Sequence, residues 1–188
     1  MDHFQDLQIL PDPEFSTPML MNALFAKLHR RFVKIDNRSI GVSFPRVNPD
    51  KPSLGDILRL HGDSMDLLRL QEEDWQTGMW DHLKINVIAS VPDDCEFCRV
   101  KRVQAKSSAE RLRRRYSKRH QEVSADQISS LFPDALEEKL QLPYLRLKST
   151  STGQSFMLFI SHDMIKNQMV SGDFNCYGLS EAATVPWF

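Results

Sequence analysis

The sequence predicts an α+β fold in two parts: a ferredoxin-like domain over residues 1–94, then a smaller α+β domain over residues 95–188 that carries an arginine-rich helix. Three observations predict it. Over about the first 90 residues the hydrophobic period alternates between 2 and 3.6 in the order β-α-β-β-α-β, the split unit of ferredoxin-like folds. The second half returns to short strands around a pair of helical segments. Between the halves lies a basic run that opens on a helix-start signal.

Each element has a local reason. Residues 4–10 alternate Leu7 and Ile9 with polar neighbours, a strand ended by Pro11-Asp12-Pro13. Ser16 or Thr17 can cap the next helix, with Pro18 in its first turn. Leu20, Leu24, Leu28 and Phe32 then recur every four residues, widened by Met21 and Phe25, to about Val33. Ile40-Gly41-Val42-Ser43-Phe44 is a second strand stopped by Pro45, and 54–60 contains a third. Residues 64–70 are helical in pattern, 75–83 short helical or irregular. A fourth strand is expected over 83–91, with Leu83, Ile85, Val87 and Ala89 on one face. Beyond it, 97–105 is a strand, 108–120 the basic helix, 125–132 a helix closed by Pro133, and 145–148 and 156–160 are strands. The polar stretch Ser149-Thr150-Ser151-Thr152-Gly153-Gln154 joins the last two, with Gly153 where a positive φ is useful.

Composition narrows the class. A hydrophobic share of 41% and a charged share of 26% exclude a disordered chain. No apolar run reaches the roughly 20 residues of a membrane span. The acidic, polar start Met1-Asp2-His3-Phe4-Gln5-Asp6 is unlike a secretory signal, and three cysteines do not make a disulfide framework, so a reducing cytoplasm is the expected setting. The net charge of −1 conceals a segregation. Residues 101–120 carry Lys101, Arg102, Lys106, Arg111, Arg113, Arg114, Arg115, Lys118 and Arg119 against Glu110 alone, while the flanking regions are acidic. Such an island is the footprint of a polyanion site; its alternative, a helix facing acidic protein, fits poorly with acidic groups that are scattered.

Ser107-Ser108-Ala109-Glu110 is a capping-box pattern for the basic helix. At about 100° per residue, Arg111, Arg114, Arg115, Lys118 and Arg119 share one arc, and Leu112 and Tyr116 beside it can anchor the helix. Five such side chains neutralise about five phosphates, giving a log–log salt slope of roughly −3 to −4. Arg102 and Gln104, two apart on the expected strand, suit guanine and adenine edges, although a polar outward face explains them equally.

For chemistry, RNA carries its own nucleophile, the 2′-hydroxyl, so a protein need only orient it and move protons. Histidine suits that task near neutral pH. Of His3, His29, His61, His82, His120 and His162, His29 lies at the edge of the first helix's apolar stripe, facing a groove. Cys95-Glu96-Phe97-Cys98 has metal-ligand spacing without a second pair, and reads as incidental. No glycine-rich phosphate loop or two-metal acidic motif is present, so no metal or cofactor is expected.

Several stretches then carry a resemblance in order along the whole chain: Pro11-Asp12-Pro13-Glu14-Phe15, Lys27-Leu28-His29, Ile40-Gly41-Val42-Ser43-Phe44-Pro45, Arg102-Val103-Gln104-Ala105-Lys106-Ser107, Glu110-Arg111-Leu112-Arg113-Arg114-Arg115, Ser149-Thr150-Ser151-Thr152-Gly153-Gln154-Ser155-Phe156, Cys176-Tyr177-Gly178-Leu179-Ser180 and Val185-Pro186-Trp187-Phe188. The chain resembles the type I-F CRISPR precursor-RNA-processing endoribonucleases of the Csy type. The resemblance implies binding of a repeat hairpin, metal-independent cutting on the 3′ side of the stem base by 2′-hydroxyl attack, and retention of the guide RNA with other subunits of a surveillance complex. It implies proton transfer by His29, with Ser149 on the attacking hydroxyl and Tyr177 positioning His29. Ser151 and Thr152 would line the scissile nucleotide, Arg102 and Gln104 read stem purines, and Phe156 stack under the lowest base pair. Arg115 and Arg119 would enter the groove, Arg114 and Lys118 meet phosphates, and Ser107 and Arg111 belong to the same RNA-binding set. Lys118 departs from the family's arginine, which keeps charge and loses bidentate geometry. Whether His29 is base or acid stays open, as do two competing readings: a non-catalytic hairpin-binding subunit and a DNA-binding protein.

Overall fold

The computed structural model describes residues 1–48, 52–104, 109–133, 140–149, 152–165 and 168–188, with backbone alone at 109–111. It is an α+β fold with two antiparallel sheets. The expected order holds in the first half: β1 (His3–Ile9), α1 (Thr17–Lys34), β2 (Gly41–Ser43), β3 (Ile57–Gly62), α2 (Ser64–Glu72) and β4 (Leu83–Ile85), arranged β2-β3-β1-β4 across the sheet. The stripe read from α1 is the buried one, with Leu20, Met21, Leu24, Phe25, Leu28 and Phe32 all inside. Ser16 is the N-cap residue, although its side chain makes no capping hydrogen bond.

One expected strand is two. After β4 the chain leaves the sheet and rejoins it as β5 (Ala89–Ser90). Leu7 pairs with Ile85, but Phe4 pairs with Ala89, so three steps on β1 face four on its partner. That extra residue is a β-bulge, and a bulge reverses the alternation beyond it. Val87, expected inward, is 82% exposed. β3 lies partly within the expected 54–60, beginning at Ile57 after a bend at Asp56 and running on to Gly62.

The second sheet, ordered β7-β8-β6-β9, comprises β6 (Glu96–Val103), β7 (Tyr144–Lys148), β8 (Ser155–Ile165) and β9 (Val185–Trp187). β8 runs past its expected end because its polar stretch is satisfied in place: Ser161 Oγ donates to Asp163, and Lys101 on the neighbouring strand pairs with the same carboxylate. β9 was not expected. Its Pro186 is tolerated because β9 is an edge strand, with no second ladder to supply.

Compactness divides the chain differently from the 94/95 boundary. One unit comprises Met1–Val103 with Leu142–Phe188, and the other is Gln104–Gln141. The second unit contains α3 (Ala109–Arg119) and α4 (Ala125–Leu131). Ser124 and Gln127 form a reciprocal capping box that starts α4. Tyr116 of α3 packs on Phe132 at 5.4 Å between ring centroids, and Arg113 donates to the Phe132 carbonyl. The capping box expected at Ser107-Glu110 lies outside the described residues. No helix among the described residues is long and apolar enough to cross a membrane.

One buried and one half-buried histidine make the fold acid-sensitive. His61 is fully buried on β3, bonded through Nε2 to Ser43 Oγ at 2.8 Å; burial first, then the charge of Arg59, pushes its pKa down to about 3. His162 packs edge-on against Phe44 and Trp187, and burial lowers it to about 4, opposed by Asp163. Unfolded histidines titrate near 6.5, so below that pH the unfolded chain takes up protons that the folded one refuses. Stability therefore falls as pH falls. At about pH 5 the two histidines together remove roughly 4 kcal/mol relative to about pH 8. Denaturant midpoints across that range read the loss, and a flat profile would contradict it.

Candidate active site

The site begins with a five-residue loop. Asn175 Oδ1 accepts from the amides of Tyr177 and Leu179, and its carbonyl accepts from Gly178. The Gly178 carbonyl accepts from the amide of Val42, which fastens the loop to β2. Gly178 has φ +69°, and a Cβ there would stand 2.7 Å from a Val42 methyl carbon and 3.0 Å from the Phe32 ring. Only glycine fits both the backbone and the space. Gly178→Ala is expected to destabilise the protein by roughly 1–3 kcal/mol and to slow any reaction that uses this loop, read by paired denaturation and activity assays.

This loop lays Tyr177 over α1. The Tyr177 ring is parallel to His29, 4.2 Å between centroids and 9° between planes, and it continues parallel to Phe25 one helical turn earlier. The neighbouring Cys176 carbonyl lies 2.8 Å from His29 Nδ1. A carbonyl can only accept, so Nδ1 carries the proton, and neutral His29 presents a bare Nε2. Burial raises the Tyr177 phenol above its ordinary range, with Cys176 adding to the shift and Arg102 opposing it. Tyr177 thus stays protonated near neutral pH and can support an imidazole but not serve as a base. The Arg102 guanidinium stands 5.9 Å from the Tyr177 ring centre.

His29 and Tyr177 line a cleft of about 390 Å³ together with Ser149, Phe156, Arg30 and Lys148. Among the described residues the lining contains cations and hydroxyls and no carboxylate. Ser149 sits just past β7, where its Oγ accepts from the Thr152 amide at 3.3 Å, and Gly153, at φ +69°, closes the turn back into β8. Of the expected site residues, then, His29, Ser149, Tyr177 and Phe156 converge on one cleft, with Arg102 against the Tyr177 ring.

Others do not join them there. β6 ends at Val103, so strand alternation does not extend to Gln104, which is exposed and belongs to the helical unit. In that unit Arg114, Arg115, Lys118 and Arg119 are all exposed on α3, and none pairs with a carboxylate among the described residues. Ser107, Ser151 and the side chain of Arg111 lie outside the described residues. Sequence reasoning missed the Cys176 carbonyl and the Asn175 side chain; only the Asn-x-x-Gly turn chemistry at 175–178 signalled them. Cys95 and Cys98 are not poised for chemistry. Burial pushes Cys98 up to about 12 with help from Asp163, and burial with Asp94 and Asp93 raises Cys95. Among the described residues no three His, Cys, Asp or Glu side chains gather as a metal cage.

The family model described as CRISPR-associated protein (Cas_Csy4) matches residues 4–188. The chain belongs to this family. A relative from Pseudomonas aeruginosa (strain UCBPP-PA14), named CRISPR-associated endonuclease Cas6/Csy4, is 44% identical over 188 residues, covering all of both chains. A second of the same name, from Escherichia coli (strain UTI89 / UPEC), is 43% identical over the same full length. These relatives place the chain among the CRISPR-associated endonucleases, and Cas_Csy4 membership accords with the Csy-type resemblance read from its motifs.

Proposed function

We propose that the protein is an endoribonuclease that binds the repeat hairpin of precursor CRISPR RNA, cuts it at the 3′ base of the stem without a metal ion, and stays on the mature guide RNA with partner subunits in the cytoplasm. The observation that carries the chemistry is the imidazole of His29 held between the Tyr177 ring and the Cys176 carbonyl in the same cleft as Ser149. In this reading Ser149 orients the 2′-hydroxyl and His29 moves a proton at Nε2. The 2′-oxygen forms a bond to phosphorus as the bond to the 5′-oxygen breaks, leaving a cyclic phosphate and a 5′-hydroxyl. The proton removed from the 2′-oxygen is balanced by the proton gained by the leaving oxygen. Arg30 and Lys148, exposed at the cleft, offset the charge that builds on the phosphate.

Binding is assigned to α3, whose Arg114 and Lys118 meet phosphates while Arg115 and Arg119 enter the groove, and to Phe156, whose ring supports the last base pair at roughly 1–3 kcal/mol. Arg102 and Gln104 read stem purines, and Ser107, Arg111, Ser151 and Thr152 complete the RNA contacts. The test is cleavage of a labelled repeat hairpin in EDTA, beside a substrate with a 2′-deoxy sugar just upstream of the cut. The ribose substrate is expected to be cut and the deoxy substrate to survive intact. Tight binding of both with no cutting would make the protein a hairpin-holding subunit instead.

A further inference from the structure

We propose that the groove between α1 and β7 holds the single-stranded RNA that continues on the 3′ side of the cut. This rests on the endoribonuclease reading and extends it beyond the reacting nucleotide. Two cavities share these same two walls. At one end, Ala26, His29 and Arg30 of α1 face Leu147 and Lys148 in the active cleft. At the other, a cavity of about 320 Å³ is bounded by Pro18, Met19 and Asn22 of α1 and by Tyr144 and Arg146 of β7. Asn22 Oδ1 accepts from the Arg146 amide, so α1 covers the unpaired edge of β7 and fixes the spacing of the two walls.

Charge and topology choose the occupant. Alternation along β7 buries Leu145 and Leu147 and turns Arg146 and Lys148 outward, both exposed and neither paired with a carboxylate among the described residues. Among the described residues neither cavity has an acidic residue in its lining, and α1 (Thr17–Lys34) and β7 (Tyr144–Lys148) contain no Asp or Glu. Two cations two residues apart on a strand stand about 7 Å from each other, the spacing of successive phosphates. The far cavity adds Tyr144 and Met19, a surface on which a base can rest. The sheet order β7-β8-β6 runs from this groove through Phe156 to Arg102, the two residues that the proposed function sets at the foot of the stem.

The experiment compares two non-cleavable 2′-deoxy hairpins, one ending at the nucleotide after the cut and one extended by about four nucleotides, with wild-type protein and Arg146→Gln. The extension is expected to tighten binding roughly tenfold at low salt and to steepen the log–log salt slope by about 1.4, for two phosphates on a single strand. Arg146→Gln is expected to halve that extra slope. A photoreactive uridine in the extension is expected to crosslink to Tyr144. Tight binding of the short hairpin with no gain from the extension, or an equal gain in the variant, overturns the groove alone. Failure of the protein to bind the short hairpin overturns the endoribonuclease reading, and the groove with it.

Discussion

His29→Ala is expected to slow single-turnover cleavage of a saturating repeat hairpin by about 10²- to 10⁴-fold, the range for removing a proton-transferring side chain. Hairpin affinity is expected to stay within about twofold, because the proposed phosphate contacts lie on α3 and the proposed stem contacts on residues other than His29. The contrast follows from the site: His29 is half-buried beneath Tyr177 and held by one carbonyl, away from the exposed cations of α3 in sequence and in element. A parallel loss of affinity would make His29 a structural residue. A substrate with sulfur as the leaving atom then assigns the proton's direction. Sulfur leaves without a proton, so rescue of His29→Ala marks an acid and persistence of the defect marks a base.

Arg59→Met is expected to cost about 3–5 kcal/mol of folding stability, a large share of the roughly 5–15 kcal/mol of a whole domain. Arg59 and Asp6 face each other across β3 and β1, each side chain about a tenth exposed, with two hydrogen bonds of 2.7 and 2.9 Å. The guanidinium lies 4.6 Å from the Phe4 ring centre and 4.0 Å from that of Phe188, and it donates to the Phe188 carbonyl. The substitution leaves the Asp6 carboxylate inside with nothing to neutralise it. Urea midpoints measure the loss, and the double variant Asp6→Leu with Arg59→Met is expected to recover part of it. Equal stability of Arg59→Met and wild type would mean that the pair has no net effect.

Legibility followed the range of the forces. Helix α1 could be read because its buried stripe is a local repeat, and the exposed cations of α3 because like charges cluster locally. The bulge after β4 could not, since it depends on which residue of β1 each partner meets, as Leu7 with Ile85 and then Phe4 with Ala89 show. The burial of His61 was equally hidden: a histidine between Leu60 and Gly62 reads as polar until Ser43 arrives to bond it. In the site, His29 was suggested by its place at the helix edge. Ser149 and Tyr177 came from resemblance, because nothing local marks a serine in a turn or a tyrosine in a loop as partners of a side chain so distant in sequence.

That distance has a consequence for how each molecule comes into being. The bond from His29 to Cys176 spans 147 residues. A ribosome making about 5–20 residues each second delivers the imidazole roughly ten seconds before the ring and carbonyl that orient it. Throughout that interval the growing chain is tethered beside messenger and ribosomal RNA, yet it lacks the ring and carbonyl that orient His29. Under the proposed function the cutting centre is therefore completed late in synthesis, and a truncated product that retains His29 but ends before Cys176 is expected to leave RNA uncut.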